Sequence, residues 1–188
     1  TEATMATLRV ARGFTKKDKI VKFAGHYHGT NDYLLFSTET PFGWPASRPL
    51  VSSLGIPSLL KELILVEEWN NFVTIEQTLR KHHKDIAAVI CEPVMANASV
   101  IPPLPGYLRH LRELCNRYDA LLIFDEVKTG FRLAPGGAQQ YFKVVPDLGA
   151  FAKSLGNGYP IAAIAGRSDV MNMIGAKKVF HGGTYSSN

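Results

Sequence analysis

Cysteine is scarce in this sequence: two in 188 residues, too few for a disulfide framework. Cys91 closes an apolar run and Cys115 falls inside a helical pattern, so both read as buried free thiols of a reducing, cytoplasmic compartment. Long hydrophobic runs are also missing, and no stretch nears the ~20 apolar residues that span a bilayer. Thr1-Glu2-Ala3-Thr4 shows neither an initiator Met nor a signal-peptide pattern, so no membrane association is expected. Blocks of one charge are absent too, although the formal charge is +5 and the pI about 9.2. The densest basic run, Lys16-Lys17-Asp18-Lys19, is short and holds an acid. It reads as a solvated loop, and no nucleic acid is expected as a partner. His26-x-His28 and His82-His83 come without a third ligand at a characteristic spacing, so no metal is expected either.

What remains is an ordinary globular composition, 46% hydrophobic and 20% charged with 16 glycines, long enough for one domain with a sizeable core. Helix and strand alternate. Glu2 to Phe14 reads as a helix and Ile20 to Phe23 as a short strand running into Gly25-His26-Tyr27-His28-Gly29. From about Asn31 to Leu60 no period is visible. Ile75 to His82 reads as a helix, and Ile86 to Cys91 as a strand buried on both faces that stops at Glu92. Pro105 to Tyr118 places Leu108, Leu111, Leu114 and Cys115 at helical spacing. Ala120 to Phe124 is a second buried strand, stopping at Asp125. The stretch Pro146 to Ala152 ends in a further short strand that delivers Lys153. A strand, helix and strand with short connections form a parallel βαβ unit. The fold class is therefore α/β, with a mostly parallel sheet.

Parallel sheets bind ligands at the carboxyl ends of their strands, where this chain places Glu92, Asp125 and Lys153. A lysine amine anchors an aldehyde cofactor as a Schiff base, and a pyridine ring then needs a carboxylate beside its nitrogen. Lys153 and Asp125, 28 residues apart, suit these roles for pyridoxal phosphate. Tyr27, in its glycine-flanked turn, could stack on the ring. For the phosphate, Thr1 offers a hydroxyl at a helix N-terminus, and Gly182-Gly183-Thr184 offers a flexible backbone with another.

These stretches together resemble the class III aminotransferases, and within them the glutamate-1-semialdehyde aminomutase-like branch. The motifs that carry the resemblance are Gly25 to Gly29, Glu92-Pro93-Val94 with Pro102 to Tyr107, Leu122 to Val127 with Thr129 to Arg132, Ala152-Lys153-Ser154 with Gly158-Tyr159-Pro160, and Gly183-Thr184. The resemblance implies a fold-type I, three-layer αβα large domain and pyridoxal 5′-phosphate as cofactor. It implies Lys153 and Asp125 as catalytic residues, with Lys153 also moving a proton. Val127 and Tyr27 would pack on the two ring faces, Asn97 would contact the phenolic oxygen, and Glu92 would be a nearby acid. Thr1 would end a phosphate loop, and Thr184 would reach the phosphate of a partner subunit in a homodimer with a shared site.

Family members are considerably longer. Residues 1–188 are thus expected to be part of a large domain, with its start and a separate small domain outside the sequence. Thr30, Gly156-Asn157-Gly158-Tyr159 and Lys128 depart from the aminomutase pattern, the last standing where a Met is common. The expected activity is transfer of an amino group between a donor and a keto or aldehyde acceptor. Aminomutase, racemase and decarboxylase chemistry are rivals, since fold and cofactor do not fix which bond breaks. A catalytically incomplete fragment is the non-enzymatic alternative.

Overall fold

The computed structural model describes residues 1–39 and 49–184. Six strands form one sheet in the order β2-β1-β3-β4-β5-β6. They are β1 (Lys19–Phe23), β2 (Ile64–Glu67), β3 (Ile86–Cys91), β4 (Leu121–Asp125), β5 (Leu148–Phe151) and β6 (Ala163–Gly166). The first five run parallel, and β6 pairs antiparallel with β5.

Alternation along each strand divides the core into two layers. Val21, Phe23, Val89, Cys91, Leu122 and Phe124 face one side, where α2 (Phe72–His82) and α3 (Tyr107–Arg117) bury Ile75, Leu79, Leu111 and Leu114 against them. Ile20, Ala88, Ile90, Leu121, Ile123 and Leu148 face the other, covered by α1 (Glu2–Thr15) and α5 (Ser168–Gly175) through Leu8, Val10, Ala11 and Val170. This is the three-layer αβα arrangement expected from the sequence. Because every residue of β3 is buried on both faces, a continuous apolar run replaces alternation there. Cys91 and Cys115 are free and buried, and burial raises both thiols, Cys115 to about 12.

The helix ends have local causes. Asn71 caps α2 by accepting from the amides of Val73 and Thr74. Gly106, at φ +85°, precedes α3, so this helix starts two residues after the expected Pro105. The run Lys16 to Lys19 is more than a solvated loop. Lys16 ends α1 in the left-handed region, and Lys17 Nζ donates to the carbonyls of Asp119 (2.7 Å) and Tyr118 (3.5 Å) just past α3. Lys19 opens β1 and pairs with Asp85 at 3.1 Å. On the opposite edge from the strand ends that carry the site, buried Asp147 accepts from the Leu122 amide, Arg112 and Arg167, each at 2.7 Å, and so fixes the start of β4.

Candidate active site

Because β1, β3, β4 and β5 are mutually parallel, their carboxyl ends open on one edge of the sheet. Strand order reverses at β1, which lies between β2 and β3. Such a reversal leaves a crevice at that edge. Into it β1 delivers the turn 24–29, β3 delivers Glu92, β4 ends on Asp125, and β5 leads to Lys153.

Asp125 is buried, and both its oxygens are engaged. Oδ1 accepts the Val127 amide at 3.1 Å, and Oδ2 accepts Nδ1–H of His28 at 2.7 Å. The His28 ring is itself buried, and its Nε2 has no partner among the described residues. Its carbonyl accepts the Thr4 hydroxyl at 2.6 Å, which ties the turn to α1. Next to it, His26 accepts the Glu92 amide on Nδ1 at 2.9 Å, so its proton sits on Nε2. Complete burial holds this imidazole neutral, its pKa well below the usual range.

Glu92 is buried and stitches two loops together: Oε1 accepts the Tyr27 amide at 2.8 Å and Oε2 the Ala96 amide at 3.1 Å. Thr1 stands at the N-cap of α1, and its Oγ1 accepts the Thr30 amide at 3.0 Å. Gly29, at φ +89°, passes so close that a Cβ there would lie 2.6 Å from Thr1 Cα. Only glycine fits, and the Tyr27 turn is thereby held against the helix N-terminus. Tyr27 is 36% exposed, so the residue stays open to a ligand.

Lys153 is placed by strand register. Asp125 pairs with Ala150, and the Glu126 amide donates to the Ala150 carbonyl at 2.9 Å. Lys153 follows three residues later, opening a short 3-10 turn (Lys153–Leu155), exposed and at φ +48°.

Hydrogen bonds thus join the segments that carry Thr1, Tyr27, Glu92, Asp125 and Val127, and register adds Lys153. Asn97 is exposed, one residue beyond the Ala96 amide that Glu92 holds. Thr184 is exposed past α5, and no hydrogen bond among the described residues joins it to the others.

Three supporting residues were not given these roles from the sequence. His28 lay within the recognised turn, but only folding shows its partner. Glu126, wholly buried, accepts from the Thr129 hydroxyl (2.8 Å) and the amides of Ala138 (2.7 Å) and Gln139 (3.1 Å), folding 126–139 back on itself at the start of α4 (Gly137–Phe142). Lys22, on β1, is fully buried, and its ammonium donates to the carbonyls of His26 (3.0 Å), Leu34 (3.1 Å) and Phe36. Burial pulls its pKa down, with Glu92 partly opposing, to about 7.

A lysine and a buried carboxylate on neighbouring ends of a parallel sheet define an αβα protein with its ligand crevice at the carboxyl edge. Residues 1–188 match the family described as aminotransferase class-III. The chain belongs to the class III aminotransferase family. It is 47% identical, over its whole length, to glutamate-1-semialdehyde 2,1-aminomutase of Methanosarcina acetivorans, of which it covers 44%. Among solved structures it resembles an omega-transaminase from Sphaerobacter thermophilus, with a TM-score of 0.90 and 32% identity over the whole chain and 44% of that protein. A transaminase with PLP bound matches equally well in fold, with a TM-score of 0.90 and 31% identity over 98% of the chain and 43% of that protein. The chain therefore spans less than half the length of the relatives it matches.

Proposed function

We propose that the whole protein is a pyridoxal-phosphate enzyme that moves an amino group from a donor to a keto or aldehyde acceptor. The observation that carries this reading is the buried His28–Asp125 pair at 2.7 Å, one strand away from the exposed Lys153. The donor set fits this cofactor: an accessible amine, a buried carboxylate, a half-open aromatic ring, and a hydroxyl at a helix N-terminus. When bound, the cofactor supplies an electron sink for the bond broken at the substrate's reacting carbon.

In this reading Lys153 anchors the cofactor and carries a proton on Nζ to and from the reacting carbon. Asp125 holds a negative charge against the ring nitrogen, while His28 and the Val127 amide fix its orientation. Tyr27 and Val127 flank the ring. Asn97 contacts the phenolic oxygen, and Glu92 holds the Tyr27 turn in place. Thr1, with the dipole of α1, receives the phosphate. Thr184 serves the equivalent site of a second subunit, which makes the active protein a homodimer. Residues 1–188 are part of its cofactor-binding domain, and a cytoplasmic location accords with the free thiols.

The test uses the full-length protein loaded with cofactor. An amino donor such as alanine or glutamate should convert the bound cofactor to its amine form, followed by absorbance, and a 2-oxo acid should reverse the change. A spectrum unmoved by a broad panel of amines and amino acids would overturn the proposal. The 47% identity to an aminomutase favours a second reading, intramolecular amino transfer. Turnover of glutamate-1-semialdehyde with no added acceptor would select it.

A further inference from the structure

Lys128 follows Asp125 by three residues, and its side chain turns into the same crevice. Its Nζ lies 3.8 Å from Oε2 of Glu92, which is charge proximity without a hydrogen bond. Glu92 does not require that ammonium, because backbone amides already engage both of its oxygens. Among the described residues Lys128 makes no hydrogen bond of its own, and its side chain is 29% exposed. A flexible cation with three unspent donors therefore stands at the carboxyl edge, beside the Tyr27 turn.

The electrostatics there are otherwise unfavourable to an anion. Glu92, Asp125 and Glu126 place three buried acids around these strand ends. Lys22 is sealed beneath the turn with its donors spent on the carbonyls of His26, Leu34 and Phe36, and the Lys153 amine is committed to the cofactor in the function proposed above. An incoming carboxylate would lie beside these acids, and Lys128 is the ammonium at hand to receive it. A lysine ammonium is suited to this as a mobile point charge whose donors turn to fit the ligand.

We infer that Lys128 is a specificity-determining residue that binds a carboxylate of the amino substrate, so that the enzyme selects amino acids over simple amines. This inference rests on the amino-transfer reading of the same site.

The experiment compares the cofactor-loaded full-length protein with its Lys128→Met and Lys128→Arg variants in two assays. Calorimetric titration with succinate reads carboxylate binding without turnover. The ratio of kcat/KM for an amino acid to that for the matching amine, with an isopropyl group in place of the carboxylate, reads selection. Losing a charge-assisted hydrogen bond should weaken succinate about tenfold or more in Lys128→Met and lower the ratio by a similar factor, while Lys128→Arg retains most of both. Equal succinate affinity in wild type and Lys128→Met would overturn the inference, as would absence of succinate binding to the wild type. So would a shifted absorbance titration of the bound cofactor with unchanged succinate affinity, which would assign Lys128 to the phenolic oxygen instead. Lys128-dependent succinate binding in a protein that transaminates no donor would leave the carboxylate site standing and remove the proposed reaction.

Discussion

His28 Nδ1 and Asp125 Oδ2 meet at 2.7 Å across 97 residues of sequence, both buried. Removing the imidazole leaves a buried carboxylate with only the Val127 amide. Such a loss costs about 1–3 kcal/mol. His28→Ala should lower the thermal midpoint and cut turnover more than cofactor loading, because Asp125 is then free to turn away from the ring nitrogen it is proposed to face. Asn can place an amide N–H near the position of Nδ1, so His28→Asn should recover most of the turnover. A purely space-filling role for His28 predicts no such rescue.

Lys153 should be the only lysine that carries the cofactor. Reducing the loaded protein with borohydride and mapping its peptides should find the pyridoxyl group there. Lys22 is sealed in the core, and Lys128 sits by Glu92 on the adjacent strand end, so a label on either would overturn the assignment.

Lys22 yields a pH prediction. Its folded pKa is about 7, against about 10.4 for a lysine in an unfolded chain. Between those values the unfolded state binds more protons, so this residue's contribution to stability rises with pH from about 7 to about 10 and is flat on either side. Lys22→Met removes the titration and leaves the carbonyls of His26, Leu34 and Phe36 without their donor. Denaturant unfolding at several pH values should show wild type gaining on the variant across that window. A constant gap would mean that Lys22 keeps an ordinary pKa.

Gly137 has φ +70°, and a Cβ there would lie 2.5 Å from Glu126 Oε2. Gly137→Ala should therefore destabilise by more than about 1 kcal/mol, through left-handed strain and a displaced carboxylate. Gly158 also has positive φ, but with open space around its Cβ position. Gly158→Ala should show the backbone effect alone, and comparing the two midpoints separates the contributions.

The buried strands were legible in the sequence because burial on both faces writes an unbroken apolar run: Ile86–Cys91 is matched to the residue, and Ala120 to Phe124 is displaced by one. The three longest helices, α1, α2 and α3, were legible from their period, while the shorter α4 and α5 went unread. β2 went unread because Ile64 to Glu67 is four residues long and follows a stretch without pattern. β6 went unread because Ala163-Ile164-Ala165-Gly166 is small and mostly exposed, with no core face to mark it. In the site, strand ends announced Glu92, Asp125 and Lys153, since a charge after an apolar run is visible in one dimension. The partnerships of His28, Lys22 and Glu126 are contacts between segments. Lys22 interrupts an apolar strand and signals only that something must satisfy it.

Glu92 has a consequence for anyone exchanging parts among these enzymes. Its two oxygens fasten Tyr27 and Ala96, so the turn after β1 and the loop after β3 behave as one module. A chimera whose β3 loop lacks an acid at this position loses both fastenings at once, whereas the amides they hold are backbone groups that any residue but proline supplies.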